Sequence, residues 1–190
     1  YHDTLLLQKK DIDTGELIPL AGCEFQIKDE VEELVSLKVE GETEKTETFV
    51  TDKDGTVYFD EKIPAGKYTL VEITAPDGYS LADPVPFEVT GKEKDSTVTV
   101  VMSDKRVTTG ITVEKKDAVS GNAAGAGFTF NIVADENIAD PAGNTYKGFE
   151  ANSVVDTITT DEKGVASSSV ELYPGKYHIE ETGVAQNYLN

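Results

Sequence analysis

Short runs in which apolar and polar residues alternate dominate the pattern of the chain. The clearest of these runs are GTVYF, KYTLVEI, PFEVT and STVTVVM. Strand side chains alternate with a period of two, and the runs are rich in the β-branched and aromatic residues that strands favour, so each run predicts a β-strand. Turn-forming segments such as DTG, DKDG and APDGY separate them. The pattern therefore predicts an all-β protein built from antiparallel β-sandwiches.

One acidic segment departs from this alternation. Within residues 29–47, Val31, Leu34 and Val35 have the three- and four-residue spacing of a helix, so a short helix is one interpretation. A hairpin or an acidic excursion at the edge of a sheet is the other. The segment 134–153 in the second half is also polar and predicts a loop.

The chain contains one pattern twice, with four motifs in the same order. The matched pairs are LLLQKKDIDTG (5–15) with ITVEKKDAVSG (111–121), LAGCEFQI (20–27) with AGAGFTF (124–130), TDKDGTVYF (51–59) with TDEKGVASS (160–168), and PAGKYTLVEITAPDGY (64–79) with YPGKYHIEETGVAQNY (173–188). The boundary between the copies falls near residues 103–110. We therefore predict two tandem domains, 1–106 and 107–190.

The net charge and the lack of long apolar runs limit the kinds of partner that the chain is expected to bind. With 17 basic and 36 acidic residues, the net charge is −19. A surface this acidic repels nucleic acid and anionic membranes, so we expect neither as a partner. No apolar run approaches the roughly 18 residues that span a bilayer, and no signal peptide, wall-sorting signal or lipidation motif is visible. The chain is therefore expected to be either cytosolic or separated from its targeting ends.

Few residues offer metal or nucleophilic chemistry. Cys23 is the only cysteine, which excludes an internal disulfide, and the two histidines, His2 and His178, are far apart in sequence. Zinc sites and histidine-dependent nucleophiles are poorly supported, so we predict no metal and no cofactor. TDKDGT (51–56) suggests calcium but lacks the remaining ligands, which favours a hairpin turn. Cys23 aligns with Ala126, which predicts a small buried residue rather than a reactive thiol.

Charged residues share the apolar face of three predicted strands. The three sets are Leu5, Leu7 and Lys9; Tyr68, Leu70 and Glu72; and Val98, Val100, Met102 and Asp104. A lysine or a carboxylate is expensive to bury alone, whereas burying the three together is easier to explain. Alternation leaves other interpretations open: a lysine that reaches solvent, a buried ion pair of Lys9 with Glu72, or an Asp104 that only ends its strand.

The motifs resemble those of the collagen-adhesin B-type domains (Cna B-type, prealbumin-like or SpaA-like) of Gram-positive pilins and surface adhesins. The KxD…TG…LAGxxF opening, the TDxxG hairpin and the PxGKYxLxExxAPxGY box together cover nearly the whole chain, and the first copy matches the box at every defined position. The resemblance implies Ig-like, prealbumin-like sandwiches and a stalk or shaft function on the cell wall, outside the cell. The implied partners are neighbouring domains, pilin subunits, or a host surface protein or glycan.

The resemblance also implies an intramolecular isopeptide bond. In such domains a lysine on the first strand is joined to an Asp or Asn on the last, with help from a buried glutamate. The matching positions are Lys9, Asp104 (rather than Asp95) and Glu72. Burial disfavours charged forms, so a neutral Lys9 amine could attack a neutral Asp104 acid while Glu72 relays protons. The bond would form once per chain, so the protein is not expected to be an enzyme in the usual sense.

The second copy repeats only part of this machinery. Lys115 and Glu181 occupy the lysine and relay positions, so the resemblance implies that Glu181, like Glu72, is a buried proton relay. Tyr188 keeps the spacing of Tyr79, although the Ala-Pro and Gly-Tyr elements are missing. The chain supplies no last strands for this copy and no evident partner for Lys115. We expect either a domain that continues in a longer protein or completion by a strand from another molecule, and otherwise an unreacted Lys115.

Two other functions fit the sequence. The acidic segments 29–48 and 134–153 could form the ligand surface of a binding module if Phe49, Tyr146 and Phe149 made an exposed aromatic patch. The chain could also be an accessory domain of a larger secreted enzyme, of the transthyretin-like type.

Overall fold

All regular elements in the described part of the chain are β-strands. The computed structural model describes residues 2–92 and 96–184, which exclude Asp95 and Tyr188. Contacts divide the chain into two compact units, residues 1–106 and 107–190. The all-β prediction is confirmed. A search of the described residues for a helix that could cross a membrane finds none.

Two sheets enclose the core of the first unit. Its strands are β1 (His2–Asp11), β2 (Glu24–Lys28), β3 (Phe49–Val50), β4 (Thr56–Pro64), β5 (Gly66–Thr74), β6 (Val85–Val89) and β7 (Thr97–Asp104). One sheet has the order β4-β1-β7 and the other β3-β2-β5-β6. β1 is antiparallel to β4 but parallel to β7, so the first and last strands of the unit are neighbours.

Side-chain alternation places the charged residues in this core. On β1, Leu5, Leu7 and Lys9 are buried while the residues between them are partly exposed. On β7, Met102 and Asp104 are buried while the residue between them is exposed. Successive side chains of a strand point to opposite faces, so an apolar set carries the charged residue that follows it into the interior.

The TDxxG motif forms a tight turn before β4. The Asp52 Oδ1 atom accepts hydrogen bonds from the backbone N–H groups of Asp54 and Thr56, at 2.9 and 3.1 Å. Gly55 has φ +73°, and a Cβ there would collide with the carbonyl oxygen of Ile18. Glycine is therefore required both by the left-handed backbone and by the close approach of a neighbouring segment.

The acidic segment 29–47 is a loop closed by isolated bridges, and the helical interpretation is wrong. Lys28 pairs with Leu34, and Leu37 pairs with Thr46. The Asp29 carboxylate accepts hydrogen bonds from backbone N–H groups two and four residues later, at 2.9 and 3.0 Å. Such local side-chain bonds compete with helix formation at the point where the helix would begin.

The second unit has fewer strands among its described residues. They are β8 (Thr112–Glu114), β9 (Thr129–Ala134), β10 (Val154–Thr159), β11 (Val165–Ser167) and β12 (Tyr177–Gly183). One sheet has the order β10-β9-β12, and β11 pairs with β8 in the other. By their pairing, β8, β9, β10, β11 and β12 correspond to β1, β2, β3, β4 and β5.

Strand register corrects one equivalence between the copies. Phe25 lies opposite Glu72 in the first unit, and Phe130, not Phe128, lies opposite Glu181 in the second. Sheet pairing, rather than local likeness around a phenylalanine, therefore sets the alignment of β2 with β9.

A buried threonine gives the same register. Thr51 Oγ1 accepts the N–H of Cys23, and Thr160 Oγ1 accepts the N–H of Phe128, both at 3.1 Å. Cys23 thus corresponds to Phe128, and its predicted match with Ala126 is wrong. The segment before the strand is one residue shorter in the second unit, which a comparison of short motifs does not detect.

Candidate cross-linking site

Lys9, Glu72 and Asp104 meet inside the first unit. The Lys9 Nζ atom contacts Glu72 Oε2 and Asp104 Oδ1, and all three side chains are 0% exposed. Lys9 and Asp104 come from β1 and β7 of one sheet, whereas Glu72 comes from β5 of the other. The three charged side chains are thus brought together between the sheets, where each compensates for the burial of the others.

Apart from these two carboxyl groups, the side chains described around Lys9 are apolar. The Phe25 ring lies 5.3 Å from Nζ, measured to the ring centroid, and Leu7 and Met102 are buried neighbours along the paired strands. Removing water from a charged group disfavours its charged form and strengthens electrostatic interactions with its partners.

The two oxygens of the Glu72 carboxyl group have different partners. Oε1 accepts the backbone N–H of Ala82 at 2.9 Å. Oε2 contacts Lys9 and accepts a hydrogen bond from the Cys23 thiol at 3.4 Å. Oε2 is therefore the oxygen that faces the amine, while Oε1 is held by the backbone.

The loop between β5 and β6 brings Ala82 to Glu72. Its Tyr79 hydroxyl donates a hydrogen bond to the buried Asp11 carboxylate at 2.7 Å, and the Ser80 N–H donates to the Lys105 carbonyl oxygen at 3.0 Å. Sequence reasoning marked Tyr79 as part of the box but missed Ala82 and the contact made by Cys23. The Ala82 donor is a backbone group, which no residue identity reveals.

Burial favours the neutral form of the Asp104 carboxyl group. Burial, more than the Glu72 carboxyl group beside it, raises the pKa of Asp104 to about 7. Its Oδ1 atom contacts Lys9, whereas its Oδ2 atom is buried and has no hydrogen-bond partner among the described residues. A carboxylic acid that is neutral near physiological pH is a better electrophile than a carboxylate, because its carbonyl carbon is not flanked by a full negative charge.

The corresponding pair in the second unit is open to solvent. Lys115 Nζ lies 3.3 Å from Glu181 Oε1, with side-chain exposures of 33% and 36%, and 5.4 Å from the centroid of the Phe128 ring. In the part of this unit that the structure describes, no strand corresponds to β6 or β7. The expectation that Glu181 is buried like Glu72 is therefore wrong, because the strands that cover Glu72 have no counterpart there.

The other candidate sites have structural roles. The Asp52 carboxylate is occupied by its own turn, and no cluster of metal-ligating side chains is found among the described residues. His178 is partly exposed and contacts Glu180 and Asp135, which raise its pKa. Cys23 is buried as predicted, and burial raises the pKa of its thiol well above the usual range.

The aromatic residues proposed for a ligand surface are buried. Phe49 lies in the first core, and Tyr146 and Phe149 lie in the second. Tyr146 stacks on Tyr173 with centroids 3.7 Å apart, and Phe149 meets the same ring edge-on at 5.0 Å. The segment 134–153 is thus anchored by its aromatic side chains, and these three residues form no exposed patch.

Several solved structures are similar to this chain. The Bacillus anthracis TIE protein is 27% identical over 96% of this chain and 28% of its own, with a TM-score of 0.54. The chain thus spans little more than a quarter of that relative. The minor pilin GBS52 of Streptococcus agalactiae is 25% identical over 56% of this chain and 45% of its own, with a TM-score of 0.43. The major pilin BcpA of Bacillus cereus is 27% identical over 56% and 30%, with a TM-score of 0.43.

The family comparison covers both units. No significant match to the chain is found among curated proteins. The model of the SpaA prealbumin-like fold domain matches residues 3–106 and again 109–190, nearly the whole chain. The strand arrangement, the repeated box and this double match agree, and the chain belongs to the SpaA prealbumin-like domain family.

Proposed function

We propose that this chain is a structural stalk or shaft module of a Gram-positive surface adhesin or pilus, and that an amide between Lys9 and Asp104 locks its first unit. The observation that carries the proposal is the fully buried Lys9 amine in contact with two carboxyl groups, one from the last strand of the unit. Membership of the SpaA prealbumin-like family supports the surface role and the extracellular location.

Folding supplies the chemistry by holding the reacting groups in contact, which replaces an encounter in solution with an intramolecular step. In its unprotonated form, the Lys9 amine attacks Cγ of the neutral Asp104 acid and forms the new C–N bond. Glu72 Oε2 takes a proton from the nitrogen and returns one to the departing Asp104 hydroxyl, which leaves as water. The products are one amide and one water, and Glu72 ends in the protonation state in which it began.

The bond gives the first unit a covalent closure that its single cysteine cannot provide. Lys9 and Asp104 are 95 positions apart in sequence. By analogy with disulfide loops of this length, closure stabilises the unit by about 4–5 kcal/mol. Because β1 and β7 are the first and last strands of the unit, tension between its ends passes through the amide rather than through the rest of the sandwich.

Intact mass tests the proposal. We expect the wild-type chain to be lighter than its sequence mass by one water, about 18 Da, because amide formation expels water. Glu72→Gln keeps the size of the side chain but cannot exchange protons as a carboxyl group does, so this variant should retain its full mass. Peptide mapping should place the missing water in a branched peptide that contains Lys9 and Asp104.

Glu181→Gln is the matched control, since it makes the same change at the equivalent position of the second unit. It should lose the same water as wild type. A wild-type chain that folds but retains its full mass contradicts the cross-link, and so does a Glu72→Gln variant that loses water as fast as wild type.

A further inference from the structure

The Cys23 thiol lies inside the candidate site. Its side chain is fully buried, and its Sγ atom is 3.4 Å from Glu72 Oε2, the oxygen that also contacts Lys9. A neutral thiol is a weak hydrogen-bond donor and a thiolate is not a donor at all. Burial raises the pKa of this thiol, so it keeps its proton and can donate.

The backbone fixes the position of this donor. The Cys23 N–H donates to Thr51 Oγ1 at 3.1 Å, and the Cys23 carbonyl oxygen accepts the Thr51 N–H at 2.9 Å. The Thr51 hydroxyl donates in turn to the Leu20 carbonyl oxygen at 3.0 Å. Because both the N–H and the carbonyl group of Cys23 are hydrogen-bonded, its thiol loses little conformational freedom when it binds a neighbouring group.

Two donors therefore hold the Glu72 carboxyl group at its two oxygens. The Ala82 N–H binds Oε1, and the Cys23 S–H binds Oε2. We propose that Cys23 is a positioning residue for the cross-linking reaction, and that its thiol holds Glu72 Oε2 against the Lys9 amine. This inference rests on the proposed function, because it concerns the rate of the same reaction.

The second unit offers a natural contrast at this position. Phe128 replaces Cys23 there, and its side chain has no hydrogen-bond donor; its ring lies near the Lys115 amine instead. The Lys115–Glu181 contact is 3.3 Å long and exposed. The thiol is thus a feature of the unit that has the complete set of three buried groups.

The proton path explains why this contact affects the rate. In the proposed reaction Oε2 receives a proton from the Lys9 nitrogen and passes one to the Asp104 hydroxyl, while the thiol keeps its own proton throughout. General acid–base catalysis requires the relay oxygen within hydrogen-bond reach of the proton it takes. A donor on Oε2 limits rotation of the carboxyl group away from that geometry.

Three variants separate this hydrogen bond from packing. Cys23→Val is apolar and somewhat larger than cysteine but has no donor, Cys23→Ala is smaller and has no donor, and Cys23→Ser is nearly as small as alanine but keeps a donor. The full-length chain is made by cell-free synthesis, collected into concentrated denaturant before it folds, and diluted to start folding. The loss of water is then followed by intact mass, and folding itself by circular dichroism.

We expect Cys23→Val and Cys23→Ala to lose water roughly three- to tenfold more slowly than wild type, which matches the modest worth of one hydrogen bond. Cys23→Ser should react within about twofold of wild type although it packs less well. A merely structural cysteine predicts the reverse order, with the valine variant fastest of the three.

The outcomes separate the two proposals. If the wild-type chain and Cys23→Val lose water equally fast, the role of Cys23 is overturned and the cross-link stands. Cys23→Ser that folds but reacts as slowly as Cys23→Ala also overturns that role. Wild-type chain that folds without losing water overturns the cross-link itself, and the role of Cys23 with it.

Discussion

The two units place a lysine and a glutamate at equivalent positions, yet only one pair is buried. Lys9 and Glu72 are fully enclosed and have Asp104 beside them, whereas Lys115 and Glu181 are about one-third exposed. Both glutamates follow the same alternating pattern on corresponding strands. The difference teaches that the box places the residues, while β6, β7 and the loop that contains Ala82 create the dry environment.

The largest expected effect comes from Asp104→Ala. This variant cannot form the amide, and it leaves Lys9 buried without one of its two partners. We expect the free energy of unfolding of the first unit to fall by at least about 4 kcal/mol, since both loop closure and compensation of a buried charge are lost. Guanidinium denaturation of the full chain, followed by circular dichroism, measures the change.

Lys115→Ala is the control for that experiment. Lys115 belongs to a solvent-exposed pair, which contributes less than about 1 kcal/mol. Equal losses from the two substitutions would show that burial does not distinguish the units.

A smaller difference is expected from truncating the residues that precede the glutamates. Leu70 is 0% exposed and Ile179 is 40% exposed, although both lie two positions before their glutamate. Leu70→Ala should cost about 2–5 kcal/mol as a core truncation, and Ile179→Ala less than about 1 kcal/mol. Urea unfolding of both variants in a Glu72→Gln background avoids masking by the cross-link, and similar costs would contradict the difference in burial.

The smallest effect concerns pH and is specific to the first unit. The folded-state pKa of Asp104 is raised to about 7, so folding favours its neutral form. The stability that this group contributes to the unreacted chain is present in acid and is lost as the pH rises through about 7. Because the neutral acid is also the reactive form, ionisation of Asp104 opposes the reaction, so the rate of water loss should stop increasing with pH above about 7.

The refolding assay measures this rate in buffers on either side of neutrality, with mass as the readout. Peptides that contain Lys115 should keep their full mass at every pH. A rate that increases steadily into alkaline solution would contradict the assignment of Asp104 as the electrophile.

Period-two alternation and the repeated box predicted most of what matters in the first unit. They placed Lys9, Glu72 and Asp104 on inward faces of separate strands, and the structure brings these three side chains into contact. That success has a simple physical cause, because side-chain direction in a strand follows directly from sequence parity.

Features that depend on more than parity were not predictable. The spacing of apolar residues in segment 29–47 fits a helix, but hydrogen bonds from the backbone to the Asp29 carboxylate stabilise a turn there instead. The match of Cys23 with Phe128 required sheet register, which a one-residue deletion hides. The exposure of Glu181 depends on which strands cover it, and this is a property of the whole unit rather than of the box.

Lys9 lies near the end of β1 and Asp104 at the end of β7, and these positions affect how the chain would respond to proteolysis. The proposed amide between them would turn residues 9–104 into a closed ring. A protease that cuts one exposed loop of that ring, such as segment 29–47, opens it without releasing either piece. Two cuts within the ring would be needed to remove any part of it, so a single nick there would leave every residue of the ring covalently attached to the rest of the chain.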